Sequence, residues 1–195
     1  METLHTAQPP HTETIYDEVL HEVSARVADQ GSIGKADIGA IVVWKRISAQ
    51  TKWAKRLMNT PEKEIRTATA RAYALANDPS ATIPDAGGAA RSALVGVPGM
   101  GGTGAMASAV LLAMSPTRMA VWDRRVGKTL KAIGRRPKSG RGHYARYLDV
   151  VVDLAEAMQE ADDRGGTVFP RNVDLALYHA AGSPEVLDRL RLAVL

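Results

Sequence analysis

The 195-residue chain has no cysteine, a single phenylalanine and no apolar run approaching the roughly 18–20 residues that span a bilayer. Without cysteine there are no disulfides, no cysteine-ligated zinc or iron–sulfur cluster and no thiolate nucleophile. The start, Met-Glu-Thr-Leu-His-Thr-Ala-Gln-Pro-Pro, offers neither a basic stretch nor an apolar one, so it does not read as a signal peptide. A soluble, cytoplasmic (nucleoid-associated) protein is expected. The histidines His5, His11, His21, His143 and His179 show no ligand spacing, so no metal is expected, nor a nucleotide or other cofactor. No stretch alternates at period two, which argues against strands and for an all-α fold.

What is present in excess is positive charge, and it is concentrated. The net charge of +4 hides acidic ends, each of net −5, over residues 1–34 and 147–195. The middle, 35–146, holds 20 basic residues against 6 acidic ones. Such a concentration fits a polyanion binder and fits equally a solvated basic face.

Helical periodicity predicts about nine or ten helices. Glu13 to about Gln30 places Ile15, Val19, Val23 and Val27 on one stripe and stops at Gly31. Further helices are expected over Ala36–Ile47, Thr51–Met58, Thr60 (as N-cap) to Ala76, Ala86–Val95, Thr103–Met114, Asp123–Ile133 and Tyr144–Asp162. A last one opens at Ser183-Pro184-Glu185 and reaches Leu195. Gly134 to Gly142 reads as a basic, mobile loop. Residues 1–12 are expected to be a disordered tail, and 13–195 a single helical domain.

The stretch Leu94 to Leu112 is the most informative. Gly99-Met-Gly101-Gly-Thr-Gly104 satisfies G-x-G-x-x-G, with Asp123 following 19 residues after Gly104. A dinucleotide fingerprint also needs a strand before it and a crossover after it, and neither is present. Read as a phosphate-binding P-loop, the stretch has Ala105 at the lysine position and Met106 at the hydroxyl position, so phosphates and Mg²⁺ lack their ligands. A helix-hairpin-helix remains: two helices, about 86–114, joined by Val97-Pro98-Gly99-Met100-Gly101. Its glycines permit close approach, and amides opening the second helix can take a DNA phosphate without reading sequence. A plain glycine-rich turn is the simpler alternative.

Pro116-Thr-Arg-Met-Ala-Val-Trp-Asp-Arg-Arg-Val126 follows, bringing an apolar approach to Asp123 at a helix start. Hairpin and spaced aspartate together resemble the helix-hairpin-helix DNA glycosylase superfamily, over roughly residues 35–133. Asp37-Ile-Gly-Ala-Ile-Val-Val-Trp-Lys-Arg46 is similar to the opening helix of bacterial relatives with this fold. The resemblance implies a base-excision enzyme acting on double-stranded DNA, with Asp123 stabilising an oxocarbenium-like sugar or activating water. Asp123 is equally suited to capping the helix that starts at Arg124.

Bifunctional members carry a lysine where this chain has Thr103, so the resemblance implies a monofunctional enzyme that leaves the abasic site intact. The hairpin residues Val97, Gly99, Gly101, Gly102 and Thr103 are implied DNA contacts. Lys128, Lys131, Arg135 and Arg136, with Lys138 and Arg141, are candidate phosphate contacts. Trp122, Trp44 and Trp53 are candidates for stacking on an extruded base, or else core residues. Two other functions are open: a non-catalytic DNA-binding module, and a protein-interaction domain with a basic surface.

Overall fold

In the computed structural model, residues 15–101, 104–161, 166–181 and 183 are described. The expected tail 1–12, the hairpin residues Gly102 and Thr103, and the helix beyond Ser183 therefore lie outside the described residues. The fold is all-α. A 3₁₀ turn at Ile15–Asp17 leads into nine helices among the described residues: α1 (Glu18–Gln30), α2 (Lys35–Trp44), α3 (Lys52–Asn59), α4 (Glu62–Ala76), α5 (Ile83–Ala93), α6 (Ala105–Met114), α7 (Arg124–Ala132), α8 (His143–Glu160) and α9 (Pro170–Ala180). None is long and apolar enough to cross a membrane.

The centre is α6. Its sequence, Ala-Met-Ala-Ser-Ala-Val-Leu-Leu-Ala-Met, has no polar face, and every residue from Met106 to Met114 is buried. A helix apolar all round must be surrounded, and α1, α2, α4 and α5 do this. Leu111 is fully enclosed there, and truncating such a side chain to alanine costs about 2–5 kcal/mol. Outside this group, α8 packs on α5 and α9, and α7 packs on α9. At the α5–α8 crossing, a Cβ on Gly87 would fall 2.1 Å from a Leu148 methyl, so glycine sets how closely these helices approach.

Several boundaries differ from expectation for local reasons. The first helix buries Leu20, Val23 and Val27. Of the residues expected on that stripe, Ile15 falls in the 3₁₀ turn before the helix and is exposed, and Val19 is exposed on α1 itself. Thr60 does not cap α4. It ends α3, where its hydroxyl donates to the Arg56 carbonyl, and Pro61 takes the N-cap position. The helix expected from Ala86 begins at Ile83, because Thr82 caps it and bonds Asp85, with Pro84 in the first turn.

The basic loop before α8 is tethered. Pro137 is buried, and the Arg146 guanidinium donates to the carbonyls of Lys138, Ser139 and Arg141. Finally, α9 falls where no helix was expected. Pro170 opens it, and the Asn172 side chain accepts from the Phe169 N–H at 2.8 Å.

Candidate functional site

A wide cleft of about 1410 Å³ lies between the end of α2, the start of α6, α7 and α9. Eight basic side chains line it against three acidic ones. Each acid has a cationic partner. Asp17 accepts from the Trp44 indole at 2.9 Å and lies 3.9 Å from Arg171. Asp123 pairs with Lys45 and Asp174 with Arg171. Arg124, Lys128, Lys131 and Arg136 line the same cleft, and no carboxylate among the described residues pairs with them, so the cleft has a surplus of positive charge.

Asp123 is the N-cap of α7. Its Oδ1 accepts from the backbone N–H of Arg125 at 2.7 Å and of Val126 at 3.1 Å, while Oδ2 takes the Lys45 ammonium at 3.0 Å. Burial pushes its pKa up. The charge and hydrogen bond of Lys45, with the two amides, outweigh burial and hold the carboxyl below its usual range. Lys45 stands at the end of α2, 78 residues away in sequence, and its ammonium also approaches the Trp44 and Tyr178 rings at about 6 Å. Nothing in the local pattern around Lys45 marks this pairing.

The segment leading to Asp123 is held at consecutive backbone groups. Tyr144 donates to the Ala120 carbonyl at 2.9 Å and Tyr147 to the Val121 carbonyl at 3.0 Å. Asp174 accepts the Val121 N–H at 2.6 Å, and the Ser108 hydroxyl accepts the Trp122 N–H at 3.1 Å. Burial drives both tyrosines far above their usual pKa, so both remain neutral donors. Central helix, α8 and α9 thus all fix the approach to one carboxylate. Asp174 was invisible to sequence reasoning because α9 was. The spacing Val173, Leu177, Ala180 carried the helix signal, and an aspartate beside that apolar stripe was the clue.

Asp174 itself is buried, and its Oδ1 pairs with the Arg171 guanidinium. Burial pushes its pKa up to about 6, against the opposing pull of Arg171, the Val121 N–H and Lys45. The cleft therefore holds two carboxylates displaced in opposite directions.

The other expected site residues separate into groups. Lys128, Lys131 and Arg136 line the cleft with Asp123, whereas Arg135 turns to Asp153 of α8 at 3.7 Å. Val97 is not available as a contact. Its side chain is in the core, its N–H bonds the Leu94 carbonyl, and its own carbonyl accepts from Met100.

Gly99 has φ of +89°, and a Cβ there would lie 2.5 Å from the Trp53 ring. Its conformation and its covered face both demand glycine, and Trp53 acts as a lid on the turn rather than a stacking surface. Gly101 is exposed with open space around it. Neither glycine borders the cleft, but Gly104, the N-cap of α6, does.

Trp44 is 5% exposed, with its indole N–H on Asp17 and the Arg171 guanidinium 5.6 Å from its ring, so it is a core residue lining the cleft floor. Trp122 is half-buried and meets His143 and Tyr147 edge to face, at 4.4 and 5.1 Å between centroids. Among the described residues, no group of three His, Asp or Glu side chains is arranged to hold a metal ion. No family model, curated protein or solved structure matches the chain.

Proposed function

We propose that the chain binds duplex DNA through the basic cleft and excises a base by hydrolysing its N-glycosidic bond at Asp123, as the resemblance to helix-hairpin-helix DNA glycosylases implies. One observation carries this reading: an aspartate held below its usual pKa stands in a wide cleft whose remaining charge is positive. Backbone phosphates neutralise Arg124, Lys128, Lys131 and Arg136 and release counterions, so binding falls steeply with salt. A target nucleotide extruded into the cleft brings its sugar to Asp123. The ionised carboxylate then stabilises positive charge building at C1′, and a water molecule attacks there as the glycosidic carbon–nitrogen bond breaks. The base leaves with the bonding pair and takes a proton, and the abasic sugar retains its hydroxyl.

A panel of oligonucleotides with damaged or modified bases tests the reading. Release of a base by the native chain, abolished in Asp123→Asn with duplex binding retained, is the expected result. Because Lys45 places an amine 3.0 Å from Asp123, borohydride trapping should be run beside the panel. The hydrolytic route predicts no covalent adduct. An adduct lost in Lys45→Met would replace it with imine chemistry.

A non-catalytic DNA-binding module is the second reading, favoured by one specific feature. Both Asp123 oxygens already have partners, two amides on one and Lys45 on the other, as a purely structural cap would. Salt-sensitive duplex binding without base release from any member of the panel selects that reading.

A further inference from the structure

The basic excess of residues 35–146 is not exhausted by the cleft. Residues 45–56, Lys-Arg-Ile-Ser-Ala-Gln-Thr-Lys-Trp-Ala-Lys-Arg, hold five cations and no acid. Lys45 and Arg46 line the cleft. Lys52, Lys55 and Arg56 fall on α3, whose sequence Lys-Trp-Ala-Lys-Arg-Leu-Met-Asn includes no carboxylate. Their spacing, i, i+3 and i+4, gathers them on one face. All three are exposed, together with Asn59 one turn further on. No carboxylate among the described residues pairs with any of them.

The opposite face of α3 is fixed. Leu57 is in the core, and the half-buried Trp53 ring covers Gly99 of the hairpin turn. Thr51 caps the start, its hydroxyl accepting the Ala54 N–H at 3.4 Å. At the far end the Lys35 ammonium donates to the Met58 carbonyl at 2.9 Å. Folding gains nothing from the charges on the outer face. Lys52 and Arg56, four residues apart, repel each other. Lys52 also stands in the first turn, at the positive end of the helix dipole, where an acid would be favourable. A polyanion laid on that face reverses both effects.

The face lies within reach of the cleft. Ile47 lines the cleft, and Lys52 follows five residues later in sequence, so their backbones are at most about 18 Å apart. One turn of duplex, about 34 Å, spans roughly twice that distance. A duplex carries one charge per about 1.7 Å of its axis, dense enough to engage at once three cations set within about 6 Å of helix.

We propose that the outer face of α3 is a second contact for the phosphate backbone of a DNA duplex, made by Lys52, Lys55 and Arg56 while the cleft holds the same duplex. It rests on the duplex-binding reading and not on excision at Asp123. Contacts of this kind position the duplex without reading its sequence. Each releases counterions and adds about 0.9 to the slope of log affinity against log salt.

Anisotropy titration of a labelled DNA duplex of about two helical turns, from about 50 to 200 mM salt, compares the native chain with Lys52→Gln/Arg56→Gln. Affinity is expected to fall at least about tenfold at the lowest salt, and the slope to shrink by roughly 2. The control Lys63→Gln/Arg71→Gln removes the same charge from exposed positions on α4 and should change affinity less than about threefold. In urea the α3 variant should be at least as stable as the native chain, since only repulsion is removed.

Lys128→Gln/Lys131→Gln separates the two levels. If it weakens binding and Lys52→Gln/Arg56→Gln does not, the cleft reading stands and the α3 contact is overturned. If only the α3 variant weakens binding, the contact stands and the cleft reading falls. An equal loss in the α4 control overturns the proposal, because net charge and not this face is then at work. So does a dependence on α3 seen with an RNA duplex and not with the DNA duplex. A native chain that binds no duplex overturns both.

Discussion

Asp123 and Asp174 are the same residue type in one cleft, and their surroundings drive them in opposite directions. Asp123 sits at a helix start with two amides and an ammonium within reach, which keeps its charge favourable. Asp174 lies inside α9 with one amide and one guanidinium, and burial outweighs both. The difference teaches that proximity of a cation does not decide ionisation; the balance between desolvation and the number of donors does. It also divides the labour. The less buried partner lines the cleft where a ligand can meet it, while the fully buried one anchors the backbone that carries it, through the Val121 N–H.

The largest expected effect breaks the buried half of this pair. Asp174→Ala leaves the Val121 N–H without its acceptor and Arg171 without its carboxylate partner inside the fold. Removing one member of a buried pair typically costs about 3–5 kcal/mol. Urea unfolding of the variant should show this loss. A loss below about 1 kcal/mol would mean that Arg171 and Val121 find other partners, and that Asp174 does not anchor the segment.

The pH dependence of stability sharpens the comparison, because the two residues act in different windows. Asp174 binds its proton at about 6 when folded and at 3.8 ordinarily. Its raised value favours the folded state most below pH 3.8, and that contribution is lost as pH rises through about 6. The change amounts to a few kcal/mol. Asp123 is lowered, so its contribution is present above its ordinary value of 3.8 and is lost as pH falls through the depressed one. Unfolding measured across this range should therefore lose its slope between 3.8 and about 6 in Asp174→Asn, while Asp123→Asn alters only the more acidic limb. A slope unchanged in Asp174→Asn would refute the assignment.

Lys45→Met tests the half at the helix cap. The pair it removes is mostly sheltered, with side chains 17% and 16% exposed, but both amides remain on Asp123. A stability loss of about 1 kcal/mol is expected, near the upper end for ion pairs open to solvent. The Asp123 carboxyl should also titrate nearer its ordinary value, which carbon-detected NMR of the side chain reads directly. No movement of that titration would show that the amides alone depress it.

Legibility in the sequence followed the range of the interactions. Asp123 stood out because capping is local: an aspartate two residues before the Arg125 amide is visible in any reading. The all-α architecture and the central helix, Ala105–Met114 among the described residues, were legible for the same reason, since composition and period suffice. Lys45 and Asp174 were not, because their meaning depends on partners 78 and 53 residues away. The hairpin glycines show the middle case. Gly99 was correctly singled out as needing glycine, but the Trp53 ring that covers it could not be foreseen. Trp44 and Trp122, similar as letters, part company only through burial.

The smallest expected stability effect is the most useful for function. Asp123→Asn keeps a side-chain oxygen to accept from the Arg125 and Val126 amides, and asparagine caps helices about as well as aspartate. What it loses is the charge facing Lys45, so the cost in thermal or urea unfolding should be only a few tenths of a kcal/mol, below the loss expected for Lys45→Met. Asp174→Asn has no such neutrality in mechanism, because any effect it has on chemistry passes through the backbone at Val121. If Asp123→Asn abolishes base release at unchanged stability and duplex affinity, the carboxylate acts on the substrate. If it unfolds the chain as readily as Asp174→Ala, Asp123 belongs with its neighbour as an anchor, and the functional contrast between the two collapses.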